Sequence, residues 1–318
     1  MEQEFLDFVR KFLNKKKAEV SESTFLNYEY YIDKFLVPYF WKKNMKCITV
    51  EDISIFKEEL TKKFSNQVAR NIYSLLKQIL DLAVIEGIIE TNYARLLKIE
   101  NKTDMLGNKD KNLILTDLEI YEIYNYCKKD LTIGIGVILA LKLGIRKGEV
   151  ISLQWKDIDL ENSCIKINST IKRCKNDKQK IFFKRGKTKT RFSKRQIPLN
   201  SDLKKLLEEY KKEYEIKCSL NNKEINRCYL IYNNDPTNFI SPNKMDYYFR
   251  KLKQNCGLNK SIHFHSLRHT FINKCIVEKK IPLNVVKYIV GHSSSTSITI
   301  DTYTHINREI IDKYREEL

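Results

Sequence analysis

The sequence predicts a mainly α-helical protein with a small β component, built as a helical bundle followed by a larger α+β domain. Its 318 residues are about twice the length of a typical domain, so two hydrophobic cores are expected. Apolar residues recur at helical spacing throughout residues 1–98. The alternating pattern that is typical of strands follows later, at 163–171, 181–187 and 191–199.

Residues 1–98 are predicted to form a small bundle of four helices. Ser21 or Ser23 can cap the second helix, because each lies just before an apolar helical pattern. Thr49 and Asp52 have the spacing of a capping box, in which two side chains satisfy backbone N–H groups at a helix start. The next helix is expected soon afterwards, so this part of the chain forms a domain without strands.

Residues 99–112 are predicted to be a linker, because they are polar, lack periodicity and contain Gly107 at their centre. The second domain is then expected at 113–318. It opens on Thr116 and Glu119, which have the spacing of a second capping box.

The first helices of the second domain end in a recognisable turn. A buried helix is expected at about 131–143, Gly144 is placed to cap its C-terminus, and a new helix starts near Arg146. Further along, we expect strands 181–187 and 191–199 to pair with each other as a basic hairpin.

The formal net charge of +18 suits a polyanionic partner, namely nucleic acid, an acidic membrane or an acidic protein. The apolar run 131–141 is too short to cross a bilayer, and the N-terminal residues lack the apolar centre of a signal peptide. We therefore expect a cytoplasmic protein without a membrane partner. No C-x-x-C pair occurs among the eight cysteines, so we expect reduced thiols and neither a metal nor another cofactor.

More than half of the excess charge comes from one segment. Residues 172–195 contain twelve Lys or Arg and a single acid, Asp177. Aromatic residues interrupt the basic ones, which favours a hairpin held near a phosphate backbone over a disordered tail, although a solvated loop remains the alternative. The residues predicted to contact DNA phosphates are Lys172, Arg173, Lys184, Arg185, Arg191, Lys194 and Arg195.

Candidate catalytic groups are concentrated near the C-terminus. All five histidines lie between His263 and His305. His265 and Arg268, three residues apart on a predicted helix, point from the same face. Arginines in such a position can neutralise the charge that grows on phosphoryl oxygens, because the guanidinium fork binds two oxygens at once.

Three further residues complete this inventory. Glu149 follows Arg146 by one helical turn and can orient it through a side-chain pair. His292 follows the apolar helix 285–290, and Tyr303 lies eleven residues later. A tyrosine oxygen can attack phosphorus and form a covalent intermediate. Since its unperturbed pKa is about 10, nearby cations are needed to favour the phenolate.

These segments together resemble the tyrosine recombinase (phage integrase) family. LGIRKGE at 143–149, HSLRHT at 265–270 and GHSS at 291–294 are similar to its three arginine and histidine boxes. DTYTH at 301–305 resembles its nucleophile segment, and KTRFSKRQIPL at 189–199 resembles its lysine-bearing hairpin. The helical bundle is similar to the family's SAM-like core-binding domain. The resemblance therefore implies a core-binding domain followed by an α+β catalytic domain.

The resemblance also implies a role for each candidate. Tyr303 would attack the scissile phosphate and hold the DNA as a 3′-phosphotyrosyl ester. Lys189 would protonate the departing 5′-oxygen, with Lys187 as the alternative lysine. The implied residues that stabilise the transition state or assist proton transfer are Arg146, Arg268, His292 and His265. No metal or other cofactor is required, because the bond energy stays in the ester.

The partners implied are double-stranded DNA with paired recombination sites and three further copies of the chain. The C-terminal helix, with Ile306, Ile310, Ile311, Tyr314 and Leu318 on one face, would join a homo-tetramer associated with the nucleoid; packing on its own domain is the alternative. An accessory DNA-bending or excisionase protein stays open as a partner. Competing functions are a type IB topoisomerase, a metal-dependent relaxase suggested by His263 and His265, and a non-catalytic DNA-binding regulator.

Overall fold

A computed structural model describes residues 4–99, 114–188, 193–219, 224–291 and 308–318. Within these ranges, 4–99 and 173–182 belong to one compact unit, and the remaining described residues belong to a second. Of the predicted linker at 99–112, only Ile99 lies inside the described residues.

The first unit contains the four helical segments that the sequence predicts. Its helices are α1 Phe5–Glu19, α2 Glu22–Tyr31, α3 Val37–Phe40, α4 Val50–Lys63 and α5 Asn66–Ile85. A π-helical turn, Ile32–Leu36, joins α2 to α3 so that they form one segment. Pro38 lies in the first turn of α3, where its missing N–H is tolerated.

Capping side chains begin α2 and α4 at the positions that the sequence indicates. Ser21 Oγ accepts a hydrogen bond from the backbone N–H of Thr24 at 3.4 Å. Thr49 Oγ1 accepts from the N–H of Asp52 at 3.2 Å, and the Asp52 carboxylate accepts from the N–H of Thr49 at 3.1 Å. The capping box is therefore complete, and the predicted helix starts are confirmed.

Aromatic rings form the centre of the first unit. Phe40 lies between Phe5 and Phe56, with ring centroids at 5.2 and 5.1 Å, and all three side chains are buried. Burial of these aromatic side chains and of the apolar residues around them is the main stabilising contribution to such a bundle.

The second unit is built around a buried helix. Its helices are α6 Asp117–Lys128, α7 Leu131–Leu143, α8 Lys147–Ser152, α9 Ser201–Ser219, α10 Pro242–Asn255, α11 Phe264–Asn273, α12 Leu283–Val290 and α13 Arg308–Asp312. Helix α7 is apolar on all sides and packs against both α6 and α11. Gly134 permits the contact with α6, because a Cβ there would lie 2.4 Å from the carbonyl oxygen of Cys127. Nowhere in the described ranges is a helix both long and apolar enough to span a bilayer.

Five short strands supply the β component of the described residues. They are β1 Ile158–Asp159, β2 Cys164–Ile167, β3 Ser169–Lys175, β4 Ile181–Lys187 and β5 Arg195–Pro198. Strand β2 lies between β1 and β5 in an antiparallel sheet, with Ile165 opposite both Ile158 and Ile197. The described chain is thus mainly helical with a small β portion, as predicted.

The predicted pairing of 181–187 with 191–199 is wrong. Strand β4 pairs with β3 in a separate two-stranded sheet, and β5 pairs with β2. The short turn between β3 and β4 explains the difference: Asn176 accepts hydrogen bonds from the N–H of Lys180 on its side chain and from that of Gln179 on its backbone. Strand β5 instead pairs with β2, because in the β1–β2–β5 sheet the side chain of Ile197 is buried in the core.

The outer part of the two-stranded sheet, Arg173–Phe182, belongs to the first unit. There, Lys175 forms an ion pair with Glu29 at 3.1 Å and donates its backbone N–H to the Glu22 carboxylate at 3.1 Å. The sequence pattern does not predict these contacts, because they join residues about 150 positions apart in the chain.

Gly144 combines a left-handed backbone with close packing, so a side chain at this position of the second unit would be strained on both grounds. It has a positive φ of 63°, and a Cβ there would lie 2.6 Å from Cδ1 of Phe271 on α11. Gly257 has a similar φ of 62° but nothing within 4 Å of its Cβ position.

We predict that Gly144→Ala lowers the free energy of unfolding by about 1–3 kcal/mol more than Gly257→Ala, because only Gly144→Ala adds overpacking to backbone strain. Urea unfolding followed by circular dichroism measures the difference. Equal destabilisation by the two substitutions would contradict the proposed close contact.

Candidate active site

Arg146 is held at the turn between α7 and α8 by three hydrogen bonds. Its backbone N–H donates to Oε2 of Glu149 at 3.1 Å, and its Nη1 donates to Oε1 of the same carboxylate at 3.0 Å. Its Nη2 donates to the carbonyl of Gly291 at 2.5 Å. The side chain of Arg146 is still 36% exposed, so part of the guanidinium can meet a ligand.

Arg268 reaches the same turn from α11. Its residue is only 3% exposed, and its Nη1 donates to the carbonyl of Gly144 at 2.7 Å. Helix α11 approaches α7 closely here because Gly144 has no side chain. The two arginines predicted from separate sequence boxes are therefore attached to the same turn.

Glu149 is buried between two arginines. Besides Arg146, its carboxylate accepts hydrogen bonds from Nη1 and Nη2 of Arg195 at 3.1 and 2.9 Å. Burial alone would raise the pKa of Glu149, but the charge and hydrogen bonds of Arg195, and then those of Arg146, outweigh burial and hold that pKa below its usual value. The carboxylate is therefore ionised at neutral pH.

Three guanidiniums around one carboxylate leave an excess of positive charge. Burial and the charges of Arg146 and Arg195 lower the pKa of Arg268 to about 9, and Glu149 compensates only partly. A cation that is poorly solvated and repelled by its neighbours is stabilised when an anion enters. The arrangement is therefore suited to bind a phosphate and to stabilise additional negative charge on it.

His265 lies one turn before Arg268 on α11, with its ring at 4.7 Å from that of His269 in an edge-on contact. Partial desolvation, followed by the charges of His269, Arg268, His263 and Arg146, lowers the pKa of His265 to about 4. The imidazole is thus neutral at neutral pH and can both donate and accept a hydrogen bond.

Four predicted site residues, Lys189, Arg191, His292 and Tyr303, lie outside the described residues. Gly291, the residue before His292, does lie within them and accepts from Arg146.

The described basic residues fall into two groups. Lys172, Lys184, Lys187 and Lys194 are exposed, and Arg173 is partly buried. Arg185 forms an ion pair with Asp157 at 2.8 Å and donates to the carbonyl of Ser152 at 2.9 Å, so its guanidinium is engaged within the domain.

Arg195 belongs with Arg185 in having an inward-facing guanidinium. Arg195 lies in the basic segment that is predicted to contact DNA phosphates, yet its side chain is fully buried. The alternation of side chains along β5 could have indicated that Arg195 is buried. Arg195 and Ile197 both face the core, and Gln196 between them faces solvent.

No group of three or more histidine, cysteine or acidic side chains in the described part of the chain is arranged to hold a metal ion. The ring of His263 contacts the carbonyl of Ser261 and the hydroxyl of Ser266, both at 3.1 Å. The ring of His263 therefore forms hydrogen bonds with neighbouring residues at the start of α11.

A helical unit and an α+β unit with paired arginines are the features of a protein that is suited to bind phosphoryl groups. A profile of the phage integrase family matches residues 114–309, and one of the phage integrase N-terminal SAM-like domain matches residues 4–60. The chain therefore belongs to the phage integrase family, the DNA cleaving and rejoining tyrosine recombinases that its motifs predict.

Individual relatives agree with this assignment. The ICEBs1 integrase of Bacillus subtilis (strain 168) is 27% identical over 303 residues, which cover 90% of this chain and 76% of that protein. The structure of the Tn1549 transposon integrase with a circular intermediate DNA superposes with a TM-score of 0.72 at 16% identity, covering 98% of each chain. A lambda integrase tetramer bound to a Holliday junction gives 0.65 at 19% identity, covering 92% of this chain and 78% of that one. These structures confirm the predicted fold class.

We predict that His265 takes up a proton only near pH 4, well below the ordinary histidine pKa of about 6.5. The unfolded chain binds this proton first as the pH falls, so the contribution of His265 to stability decreases from about pH 6.5 downward. NMR titration of the imidazole signals measures the midpoint, and His265→Gln, with His263→Gln as control, assigns the signal. A midpoint between about 6 and 7 would contradict the prediction.

Proposed function

We propose that this protein carries out site-specific DNA recombination through a 3′-phosphotyrosyl intermediate, with Tyr303 as the nucleophile. The observation that carries the proposal is the attachment of Arg146 and Arg268 to one turn, with an excess of positive charge around them. Two fixed guanidiniums can neutralise the nonbridging oxygens of a phosphodiester during attack. The match to the phage integrase family supports the same chemistry.

The proposed reaction has two balanced steps. The Tyr303 hydroxyl gives its proton to neutral His265 and its oxygen attacks phosphorus, the bond from phosphorus to the 5′-oxygen breaks, and Lys189 gives a proton to that oxygen; Lys187 is the alternative donor. The 5′-hydroxyl of a partner strand then gives its proton to Lys189 and attacks the phosphotyrosyl ester, a new phosphodiester forms, the bond from phosphorus to the Tyr303 oxygen breaks, and that oxygen regains its proton from His265. Because each step exchanges one phosphoester bond for another, the steps need no external energy source.

The remaining residues have supporting roles in this proposal. Arg146, Arg268 and His292 stabilise the transition state, and neutral His265 assists proton transfer. The residues proposed to contact DNA phosphates and so position the duplex are Lys172, Arg173, Lys184, Arg191 and Lys194. Such contacts make affinity fall steeply as salt increases.

Tyr303→Phe is expected to abolish covalent attachment to DNA and leave DNA affinity nearly unchanged, because only the attacking oxygen is removed. Binding sites are first selected from random-sequence duplexes, and a nicked substrate then traps the adduct, which is separated by denaturing electrophoresis. Tyr121→Phe, a change at a 62%-exposed tyrosine, is the matched control. In the same assay, Lys189→Ala should abolish cleavage and Lys187→Ala should not.

The same assay distinguishes the competing functions. Trapping in EDTA with a 3′ linkage excludes a metal-dependent relaxase, which would attach to a 5′ end. Recombinant products from two cognate sites exclude a monomeric type IB topoisomerase. Full recombination by Tyr303→Phe would refute the proposal.

We further propose that four copies of the chain assemble on paired sites. A lambda integrase of the same fold is a tetramer on a Holliday junction. In the present structure, Ile311 and Leu318 are buried in their own unit, and the Glu316 carboxylate accepts hydrogen bonds from the backbone and hydroxyl of Ser201 at 3.1 and 3.0 Å. The C-terminal segment would have to leave these contacts to join a neighbouring copy.

Deletion of residues 306–318 is expected to abolish the complex of two DNA sites and to retain binding to one site. Native electrophoresis with one-site and two-site DNA measures both properties, and thermal melting checks that the truncated chain folds. Formation of the two-site complex at the wild-type level would contradict a role of this segment in assembly.

Two of the integrases named above, those of ICEBs1 and of the Tn1549 transposon, favour a mobile element as the biological context. We therefore propose integration and excision of such an element ahead of the resolution of chromosome dimers.

A further inference from the structure

We propose that Arg195 is a positioning residue that holds Arg146 in its reactive orientation through Glu149, and that it does not contact DNA. This inference rests on the proposed function, because it assigns Arg195 a part in the same strand cleavage. It replaces the DNA-contacting role that the basic segment suggests for this residue.

The guanidinium of Arg195 is enclosed by acceptors from three segments. Its Nε donates to the carbonyl of Ile289 at 2.5 Å, and its Nη1 donates to the carbonyl of Ser193 at 3.1 Å. Its Nη1 and Nη2 also reach the two oxygens of Glu149. With the side chain at 0% exposure, no edge of the guanidinium is open to a DNA phosphate.

Glu149 transmits this arrangement to Arg146. Oε1 of Glu149 accepts from Nη1 of both arginines, at 3.0 Å from Arg146 and 3.1 Å from Arg195. Hydrogen bonds from two nitrogens of Arg195 fix the plane of the Glu149 carboxylate. Oε1 therefore faces Arg146 in a single orientation. Arg195, whose side chain is fully buried, therefore orients Arg146. Arg146, whose side chain is 36% exposed, contacts the ligand.

The backbone contacts of Arg195 extend its influence to two other parts of the site. Ile289 lies in the last turn of α12, two residues before Gly291, whose carbonyl accepts from Arg146. A Cβ on Gly291 would lie 2.9 Å from Nη1 of Arg195, so this turn packs directly on the guanidinium. Ser193 belongs to the segment that follows Lys189 in sequence.

A lysine cannot replace these contacts. Its single ammonium group lacks the planar fork that reaches both carboxylate oxygens and two carbonyls at once. Removing the charge of Arg195 also removes the largest opposing influence on the buried Glu149, whose pKa then rises. Protonated Glu149 no longer forms an ion pair with Arg146, so cleavage by such a variant decreases as Glu149 becomes protonated.

The test uses the full-length chain with Arg195→Lys and Arg195→Met, and the duplex selected for wild-type binding. At saturating DNA we expect adduct formation to slow by about 100-fold or more, whereas the Kd changes by less than about threefold. The rate for Arg195→Met should increase as the pH is raised and Glu149 ionises, because the pKa of this carboxyl rises when the charge of Arg195 is removed. Arg227→Lys and Arg227→Met are matched controls, because Arg227 forms an ion pair with Glu224 at an 81%-exposed side chain.

Glu149→Gln keeps the proposal testable if an Arg195 variant folds poorly. It should slow cleavage by a similar factor, and the double variant should be little slower than either single one, because both act through one contact. Loss of affinity with wild-type cleavage at saturation would instead indicate direct DNA contact and overturn the inference. Wild-type cleavage by folded Arg195 variants would also overturn it. If the wild type itself forms no adduct through Tyr303, the proposed function fails.

Discussion

The second unit depends on one buried carboxylate that keeps positively charged groups together. Arg146 and Arg195 donate to the same oxygen of Glu149, so their guanidiniums lie close together and would repel each other without the carboxylate. The charge of Glu149 makes their proximity favourable. A carboxylate in this position is costly to bury unless it is paired, so the three groups stabilise one another. Removing any one of them leaves the others in an unfavourable environment.

The surrounding helices are arranged to bring this cluster together. Most of helix α7 is buried, and the helix fixes the turn at Gly144, on which Arg268 and Phe271 of α11 converge. The third arginine, Arg195, lies on β5 at the edge of the β1–β2–β5 sheet in the described residues. The positions of the charged groups therefore follow from apolar packing of elements that are far apart in the chain.

Much of this organisation could be predicted from local sequence signals. The capping boxes at Thr49 and Thr116 and the glycine cap at Gly144 act within a few residues, so the sequence alone indicates them. The pair of Arg146 and Glu149 follows equally from helical spacing.

The inward direction of Arg195 and the pairing of β4 with β3 could not be predicted in the same way. A basic segment read by composition places every arginine toward solvent, and strand pairing depends on which neighbour buries the apolar face. The contact from Arg195 to Ile289 spans 94 positions, and no local rule reports a contact of that range. The same limit applies to the contacts of Lys175 within the first unit.

The carbonyls that accept hydrogen bonds from Arg146 and Arg268 belong to glycines that end helices. Gly144 ends α7 and accepts from Arg268, and Gly291 ends α12 and accepts from Arg146. A helix C-terminus carries a partial negative charge from its aligned peptide dipoles. These dipoles orient the guanidiniums without adding further acidic side chains that would repel a phosphodiester. The net positive charge of the cluster therefore remains available to the polyanion.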